Sequence, residues 1–412
     1  MAGVTNAAFR QLCAEQWALG RGSRQHSTAG ATGAAGAAGA ALPEPLFVCE
    51  MITAGGIAHR IPRTFELLRF FPGECRSVQL YGTDPALVSR AVAILCGEFE
   101  VAHIDLNLGC PVPKVTRRGG GGARPWKLDR TAALLRAAAA AAEPFGVPVS
   151  VKTRIGIDEA HTTFRDVGRI AADAGVAFIV LHARTVRQAY SGTADWNRIA
   201  ELVQASSLPV VGNGDVWEAA DARRMRAETG CAGVAIGRGC LGRPWLFRDL
   251  AADLSSGLSS GLSADLTDIR ATGAAGGSGS SGSSGSSGNN PQRYLPTLGE
   301  VCEMVYRHGE LLAELHGERW GLTDLRKHMA WYFRGFPVGG ELRAQLSLVS
   351  SLAGLRGLLD QLDPDAPFPQ ELAGAPRGRQ GSARDHVRLP EGWLDSRTLG
   401  DAEISEDGAA GG

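Results

Sequence analysis

The sequence predicts an α/β protein with a parallel sheet. Short apolar runs alternate with helical patterns from residue 46 to residue 254, and nearly every run ends in a polar or reactive group. Alternation over about 250 residues is typical of a parallel sheet that is either open and doubly wound or closed as a barrel. An open sheet gathers its site at one switch point, whereas a barrel gathers it from all strands around one rim. We therefore predict a TIM (β/α)8 barrel.

Seven strand-then-helix units follow one another along the chain, so the first strand of a complete barrel would have to precede Met1. A helix is expected before them, from an N-cap at Thr5 to Trp17. The predicted strands are 46–49, 77–81, 101–107, 148–153, 176–182, 208–212 and 232–236. The predicted helices of the units are 62–71, 86–98, 129–143, 163–174, 197–205, 217–228 and 244–254.

Composition divides the chain into a barrel and a second, smaller domain. The barrel spans 1–254, with a flexible Gly/Ala/Ser insertion at 20–42, and a Ser/Gly-rich linker follows at 255–296. Amphipathic patterns over 297–362 predict an all-helical domain. The Pro-, Gly- and charge-rich tail 363–412 is expected to be disordered.

Bulk charge and cysteine usage exclude several protein classes. Lys and Arg number 42 against 43 Asp and Glu, so a nucleic-acid partner would have to be held by local patches. The 8 cysteines lie scattered without metal-ligand spacing, which argues against a disulfide framework and against a metal site. The sequence contains no apolar run of about 18 residues, so no membrane span is expected. We predict a cytoplasmic protein.

A thiol beside a cationic loop is the strongest chemical signal. The strand 101–107 ends in Asn107 and a Gly-Cys-Pro corner, which leaves Cys110 at the polar exit of the strand. The glycine-rich segment 114–130 follows and carries six Lys or Arg against the single Asp129. An isolated cysteine is more often a packing residue, but its position here favours chemistry on a polyanion.

Two later strand ends suggest a phosphate site. Asn213-Gly-Asp215 and Gly237-Arg238 lie where barrels often bind phosphate, because small residues let backbone N–H groups approach the oxygens. Without a metal cluster, this suggests a phosphorylated cofactor, either PLP or FMN. Lys152 could form the Schiff base of PLP, or could lie beside a flavin ring with Gln79 on its pyrimidine edge. The residues alone leave both cofactors open.

The helical domain contains a second basic segment. Arg326, Lys327 and His328 are interleaved with Trp331 and Tyr332, a mixture that suits an RNA surface. A solvated helix face over an aromatic core is the alternative.

Taken together, these blocks resemble the tRNA-dihydrouridine synthases. The resemblance rests on Met-Ala-Gly-Val-Thr at 1–5, Gln-Leu-Tyr-Gly at 79–82, Asp-Leu-Asn-Leu-Gly-Cys-Pro-Val-Pro-Lys at 105–114, Val-Lys-Thr-Arg-Ile-Gly at 151–156, His-Ala-Arg-Thr at 182–185, Val-Gly-Asn-Gly-Asp at 211–215, Ala-Ile-Gly-Arg-Gly at 235–239 and Arg-Lys-His-Met-Ala-Trp-Tyr at 326–332. It covers residues 1–17, 46–250 and 297–360.

The resemblance implies an FMN- and NADPH-dependent reduction of the C5–C6 double bond of a uridine in tRNA. It implies Cys110 as proton donor. Apart from the resemblance, we expect a monomer. The implied FMN-binding residues are Met1, Ala2, Gln79, Lys152, His182, Asn213, Gly214, Asp215, Gly237 and Arg238. The implied substrate-binding residues are Asn107, Arg154, Tyr190, Arg184, Lys114, Arg117, Arg118, Arg326, Lys327 and His328. The helical domain 297–362 would bind tRNA.

One departure concerns the start of the chain. The family's pattern has a strand and a Pro just before Met-Ala-Gly, so we expect an open seam in the barrel and prefer a misplaced start codon as its origin. Two alternatives stay open: a tRNA-binding protein that has lost catalysis with its first barrel strand, and another FMN barrel that reduces a small pyrimidine.

Overall fold

The computed structural model describes residues 1, 3–22, 44–259 and 293–398. Four of the predicted features lie wholly or partly outside this range: Ala2, most of the insertion 20–42, most of the linker 255–296, and the tail beyond residue 398.

A parallel sheet of seven strands forms the centre of the molecule, with the strands in chain order. The strands are β1 (Val48–Thr53), β2 (Ser77–Tyr81), β3 (His103–Leu108), β4 (Val149–Arg154), β5 (Phe178–His182), β6 (Val210–Asn213) and β7 (Gly233–Ala235). The seven predicted strand-then-helix units are confirmed. In the part of the chain that the structure describes, β1 and β7 are the two edges of this sheet. Because all strands run the same way, their carboxyl ends meet on one side.

Helices connect the strands in the order that the sequence predicts. They are α1 (Ala7–Gly20), α2 (Ala54–Ala58), α3 (Pro62–Phe65), α4 (Pro85–Glu98), α5 (Pro113–Thr116), α6 (Leu128–Ala142), α7 (Phe164–Asp173), α8 (Asn197–Ala205), α9 (Ala219–Thr229) and α10 (Leu246–Ser259). The N-cap of α1 is Asn6 and not Thr5, because the Asn6 side chain accepts the Phe9 N–H. The predicted helix 62–71 ends at Phe65.

The second domain contains four helices: α11 (Leu298–His316), α12 (Glu318–Tyr332), α13 (Gly340–Leu346) and α14 (Leu352–Leu359). The side chain of Thr297 accepts the Glu300 N–H, and Glu300 in turn accepts the Thr297 N–H, so a capping box starts α11.

The two domains share one apolar core. Ala8 and Leu12 of α1 and Trp245 before α10 belong to the same buried cluster as Val305 and Leu325 of the helical domain. A second cluster fills the space between the sheet and its outer helices. The first helix of the chain therefore fastens the helical domain to the barrel.

The tail is ordered as far as it is described, and the prediction of disorder is wrong for residues 363–398. Buried anchors explain this: Phe368 packs in the shared core, Trp393 is 7% exposed and Arg377 is 4% exposed. The composition of a segment shows that it has no core of its own, but it does not show whether a neighbouring surface will bury it.

Leu12→Ala tests this packing. Leu12 is 1% exposed in the shared cluster, so its truncation should destabilise the protein by about 2–5 kcal/mol. Urea unfolding followed by circular dichroism measures the change. Leu19→Ala on the same helix is the control, because Leu19 is 59% exposed. An equal effect of both substitutions would contradict the packing.

Candidate active site at the carboxyl ends of the strands

The Gly-Cys-Pro corner after β3 is held by Asn107. Its side-chain oxygen accepts the N–H groups of Gly109 and Cys110 at 3.1 and 3.0 Å. The carbonyl of Cys110 accepts the Gly122 N–H at 3.0 Å. Gly121 has φ +53°, and a Cβ there would lie 2.7 Å from the Cys110 carbonyl oxygen, so only glycine fits behind the corner. The thiol is thereby fixed at the rim of the sheet and is partly exposed.

Burial keeps the Cys110 thiol in its protonated form. Desolvation raises its pKa above the ordinary value, although the Val112 N–H and two guanidinium groups act in the opposite direction. A thiol in this state holds its proton at neutral pH and can act as an acid.

A row of polar side chains runs inward from the corner. The amide nitrogen of Asn107 donates to Gln79 Oε1 at 2.8 Å, and Gln79 Nε2 donates to Asp105 at 2.6 Å. Ser150 Oγ donates to the other Asp105 oxygen at 2.5 Å and also bonds His103 at 3.0 Å. Each amide is therefore fixed in orientation. Asp105 is not among the site residues predicted from the sequence, although its side chain shares a strand face with that of Asn107, two residues further on.

Four cations surround His182 at the centre of the rim. Burial lowers the pKa of His182 well below its usual value, and the charges of Arg154, Lys152, Arg184 and Arg238 lower it further. Burial also lowers the pKa of Lys152 to about 8 and that of Arg154 to about 10. Lys152 Nζ donates to Asn213 Oδ1 at 3.2 Å. So many cations in one buried place favour an anionic ligand.

The two glycine-containing corners lie beside these cations. Gly214 has φ +124°, and a Cβ there would meet Ala194 at 2.8 Å and the His182 ring at 3.3 Å. A Cβ at Gly237 would meet only Asn213 Nδ2, at 3.8 Å, so the space above this corner is open. Arg238 lies over the ring of Tyr190, with its Cζ 4.9 Å from the centroid.

Arg184, which the sequence predicts to bind the substrate, has a buried side chain that contacts a loop of the barrel. Its side chain is 1% exposed, and it donates to the carbonyls of Ser191 and Gly192 and to the Asp215 carboxylate at 2.6–3.0 Å. It therefore supports the loop after β5. Its Nη1 is buried and has no hydrogen-bond partner among the described residues, which is consistent with an anion bound nearby.

The predicted RNA contacts of the helical domain are only partly exposed. His328 is 0% exposed and stacks on Phe9 at 5.7 Å between centroids, so the prediction that it contacts RNA is wrong. Arg326 donates to the carbonyls of Val349 and Leu348 at 2.8 Å and closes a loop of its own domain. Lys327 remains exposed and pairs with Asp324.

The basic segment after the thiol is structured and not a flexible loop. It contains α5 and a 3-10 helix, Gly121–Trp126. Lys114, Arg117 and Arg118 are exposed, whereas Arg124 and Lys127 are 5% and 2% exposed. Only the first part of the segment can therefore meet a polyanion.

No group of three or more His, Cys, Asp or Glu in the described ranges could hold a metal ion. None of the described helices is long and apolar enough to cross a membrane.

The fold and the site define a parallel α/β barrel enzyme with a cationic rim and a protonated thiol. The profile of the family described as dihydrouridine synthase (Dus) matches residues 1–260. The chain belongs to the dihydrouridine synthase family, whose members are generally flavin-dependent enzymes that act on tRNA.

Curated relatives agree over most of the chain. A probable tRNA-dihydrouridine synthase of Mycobacterium tuberculosis is 45% identical over 396 residues, covering 96% of this chain and 88% of the relative. One of Mycobacterium leprae is also 45% identical over 96% of this chain and 94% of its own length. The tRNA-dihydrouridine synthase B of Xanthomonas campestris is 32% identical over 72% of this chain and 80% of its own length.

The pKa of Lys152 gives a pH-dependence that can be measured. Its folded-state pKa is lowered to about 8, so the amine is a cation below that pH and neutral above it. We expect the affinity of the ligand-free protein for FMN to fall about tenfold as pH rises through this value. Fluorescence titration of FMN measures it, and Lys152→Met should bind weakly at every pH. A pH-independent affinity in the parent would contradict a role for this amine.

Proposed function

We propose that this protein uses FMN and NADPH to reduce the C5–C6 double bond of a uridine in tRNA, with Cys110 as the proton donor. The observation that carries the proposal is the combination of a protonated, partly exposed thiol with a buried cationic cluster at one rim. Family membership supplies the reaction class. The tRNA substrate implies a cytoplasmic enzyme, and we propose that it acts as a monomer.

The residues present fit FMN. The open corner at Gly237, the unpartnered Nη1 of Arg184 and the guanidinium of Arg238 suit a phosphate group. The backbone of Asn213, Gly214 and Asp215 would complete this end. The Asp215 carboxylate would not contact the phosphate itself, since it pairs with Arg184 at 2.7 Å.

The flavin ring would lie toward β2 and β4. Gln79 and Lys152 would bind its pyrimidine edge, His182 would lie beside it as a neutral ring, and the Met1 backbone would border it. The Met1 carbonyl already accepts the N–H groups of Val4 and Thr5 at 3.0 Å, which sets the local chain path. When bound, FMN supplies the hydride that uracil C6 needs, and NADPH supplies its electrons.

The residues of this chain supply the proton and the position of the base. Cys110 Sγ holds a proton for uracil C5, and the corner built by Asn107 aims it. Arg154 Nε donates to the Gly109 carbonyl, and its Nη1 donates to the carbonyls of Thr185 and Ala189, all at 2.8–2.9 Å. Arg154 and Tyr190 border the space next to the thiol, with 5.7 Å between guanidinium and ring, and we propose that they bind the uracil.

The nucleotide must leave its stack to reach this rim, which costs a few kcal/mol and favours a uridine in a mobile loop of tRNA. We propose that Lys114, Arg117, Arg118 and the exposed Lys327 bind the surrounding phosphates. Arg326 acts indirectly, since its guanidinium holds a loop of the helical domain in place.

Cys110→Ala tests the proposed acid. Replacing the thiol with a methyl group should lower the rate of dihydrouridine formation about 10²- to 10⁴-fold, while FMN binding stays unchanged. Mass spectrometry of tRNA nucleosides measures the product, and Cys75→Ala, at an exposed cysteine, is the control. Full turnover in Cys110→Ala would contradict the role of Cys110 as proton donor. A parent protein that binds tRNA but neither FMN nor NADPH would indicate a binding protein without catalysis.

The salt dependence of tRNA affinity tests the proposed phosphate contacts. The slope of log affinity against log salt is negative, and each lost phosphate contact should make it less steep by about 0.7–0.9. We expect this from Arg117→Gln, measured by filter binding of tRNA at several salt concentrations. Arg136→Gln, an exposed position on α6, should leave the slope unchanged. Equal slopes in all three proteins would contradict the proposed contact.

A further inference from the structure

The C-terminal segment 374–398, named here the strap, crosses the face of the barrel that carries the thiol. The match to the family profile ends at residue 260, before the strap begins. At its start Arg377, 4% exposed, donates to the carbonyls of Leu241 and Trp331 at 3.3 and 3.4 Å. Arg238 of the rim donates to the Arg379 carbonyl. The strap is therefore fastened to both domains before it reaches the thiol.

Trp393 anchors the other end of the strap to the basic segment. Its Nε1 donates to the Ala123 carbonyl at 3.1 Å, and its ring lies 5.7 Å from the Arg124 guanidinium and 5.1 Å from Lys127 Nζ. A Cβ on Gly119 would lie 2.3 Å from this ring, so the glycine makes room for the indole. These two cations therefore hold the strap and are not available to RNA.

Further contacts continue this anchor. The Leu128 N–H donates to the Arg397 carbonyl at 2.8 Å, and Lys127 Nζ donates to the Ser396 carbonyl at 2.8 Å. The Arg397 side chain pairs with Asp166 of α7 at 2.7 Å. The strap thus has one fixed path between its two anchors.

Arg384 lies between the anchors and contacts the Gly-Cys-Pro corner. Its backbone N–H donates to the Arg187 carbonyl at 3.0 Å, and its guanidinium donates to the Pro111 carbonyl. Arg154 donates to the Gly109 carbonyl at 2.8 Å. A guanidinium group thus binds the carbonyl on each side of Cys110, one from the barrel and one from the strap.

We propose that Arg384 is a positioning residue for the acid: it clamps the corner that carries Cys110 and places a positive charge beside its sulfur. The proposal rests on the proposed function of Cys110. In that step the S–H bond breaks and its electron pair stays on sulfur as a thiolate. The proton forms the C5–H bond with the electron pair of the C5–C6 π bond, which becomes available at C5 when hydride adds to C6. A cation beside the sulfur stabilises this thiolate.

The charged groups that face the thiol come from two elements. Arg154 on β4 and Arg384 on the strap both oppose the effect of burial on the Cys110 pKa, and the Val112 N–H points the same way. Tyr190 and Arg238 lie behind Arg154 and interact with it. Removing Arg384 leaves Arg154 as the cation facing the sulfur.

Alkylation of Cys110 by iodoacetamide across alkaline pH, followed by mass spectrometry of its peptide, tests the proposal without turnover. In full-length Arg384→Met the thiolate should be less populated, so alkylation at mildly alkaline pH should be about tenfold slower than in the parent. The curve of rate against pH should move to higher pH. Arg384→Lys keeps the charge and should restore most of the rate. Arg388→Met, at an exposed position of the same segment, should match the parent.

Turnover separates this role from a structural one. Arg384→Met should lower kcat for tRNA reduction, and its activity should respond to pH differently from that of the parent. Identical alkylation profiles in Arg384→Met and the parent would overturn the proposal, as would a failure of Arg384→Lys to restore the profile. If Cys110→Ala retains turnover, the proposed function fails instead, whatever the alkylation of Arg384 variants shows.

Discussion

Concentrated positive charge at the carboxyl ends of the strands is the constraint on which the site depends. Lys152, Arg154, Arg184 and Arg238 all act on His182, and burial lowers the pKa of Lys152 to about 8. A folded protein can keep such a cluster only with anions close by. Asp215 balances part of the charge through Arg184. In the proposed function, a phosphorylated flavin and an RNA backbone would balance the remaining positive charge.

One member of this cluster, Arg154, also acts on the thiol, together with Arg384 of the strap. Burial holds the proton on Cys110, while Arg154 and Arg384 favour the thiolate that forms when the proton leaves. A general acid of this kind must keep its proton until the substrate accepts it, and its conjugate base must then be stabilised. The Gly-Cys-Pro corner meets both needs because its backbone is fixed by hydrogen bonds. Asn107 accepts the Cys110 N–H, and the guanidinium groups of Arg154 and Arg384 bind the Gly109 and Pro111 carbonyls.

The shared core places the helical domain against this rim. Leu12 of α1 and Leu325 of α12 lie in one buried cluster, and Arg377 ties the strap to Trp331 of α12. Packing of this kind is rigid, so the exposed cations of the two domains keep a fixed separation. A tRNA bound by the cations of both domains would therefore be held in one orientation, with the same part of the molecule next to the thiol.

The sequence by itself determined the seven strand-then-helix units, the position of Cys110 after β3 and the polar strand ends, because these are patterns within a few residues. Gln79, Lys152, His182, Asn213 and Arg238 do meet at one rim, as parallel strands require. Tertiary structure alone decided that His328 is buried, that Arg184 supports a loop and that the tail is ordered. Arg384 meets Pro111 across 273 positions of chain, and no local pattern encodes a contact over that separation.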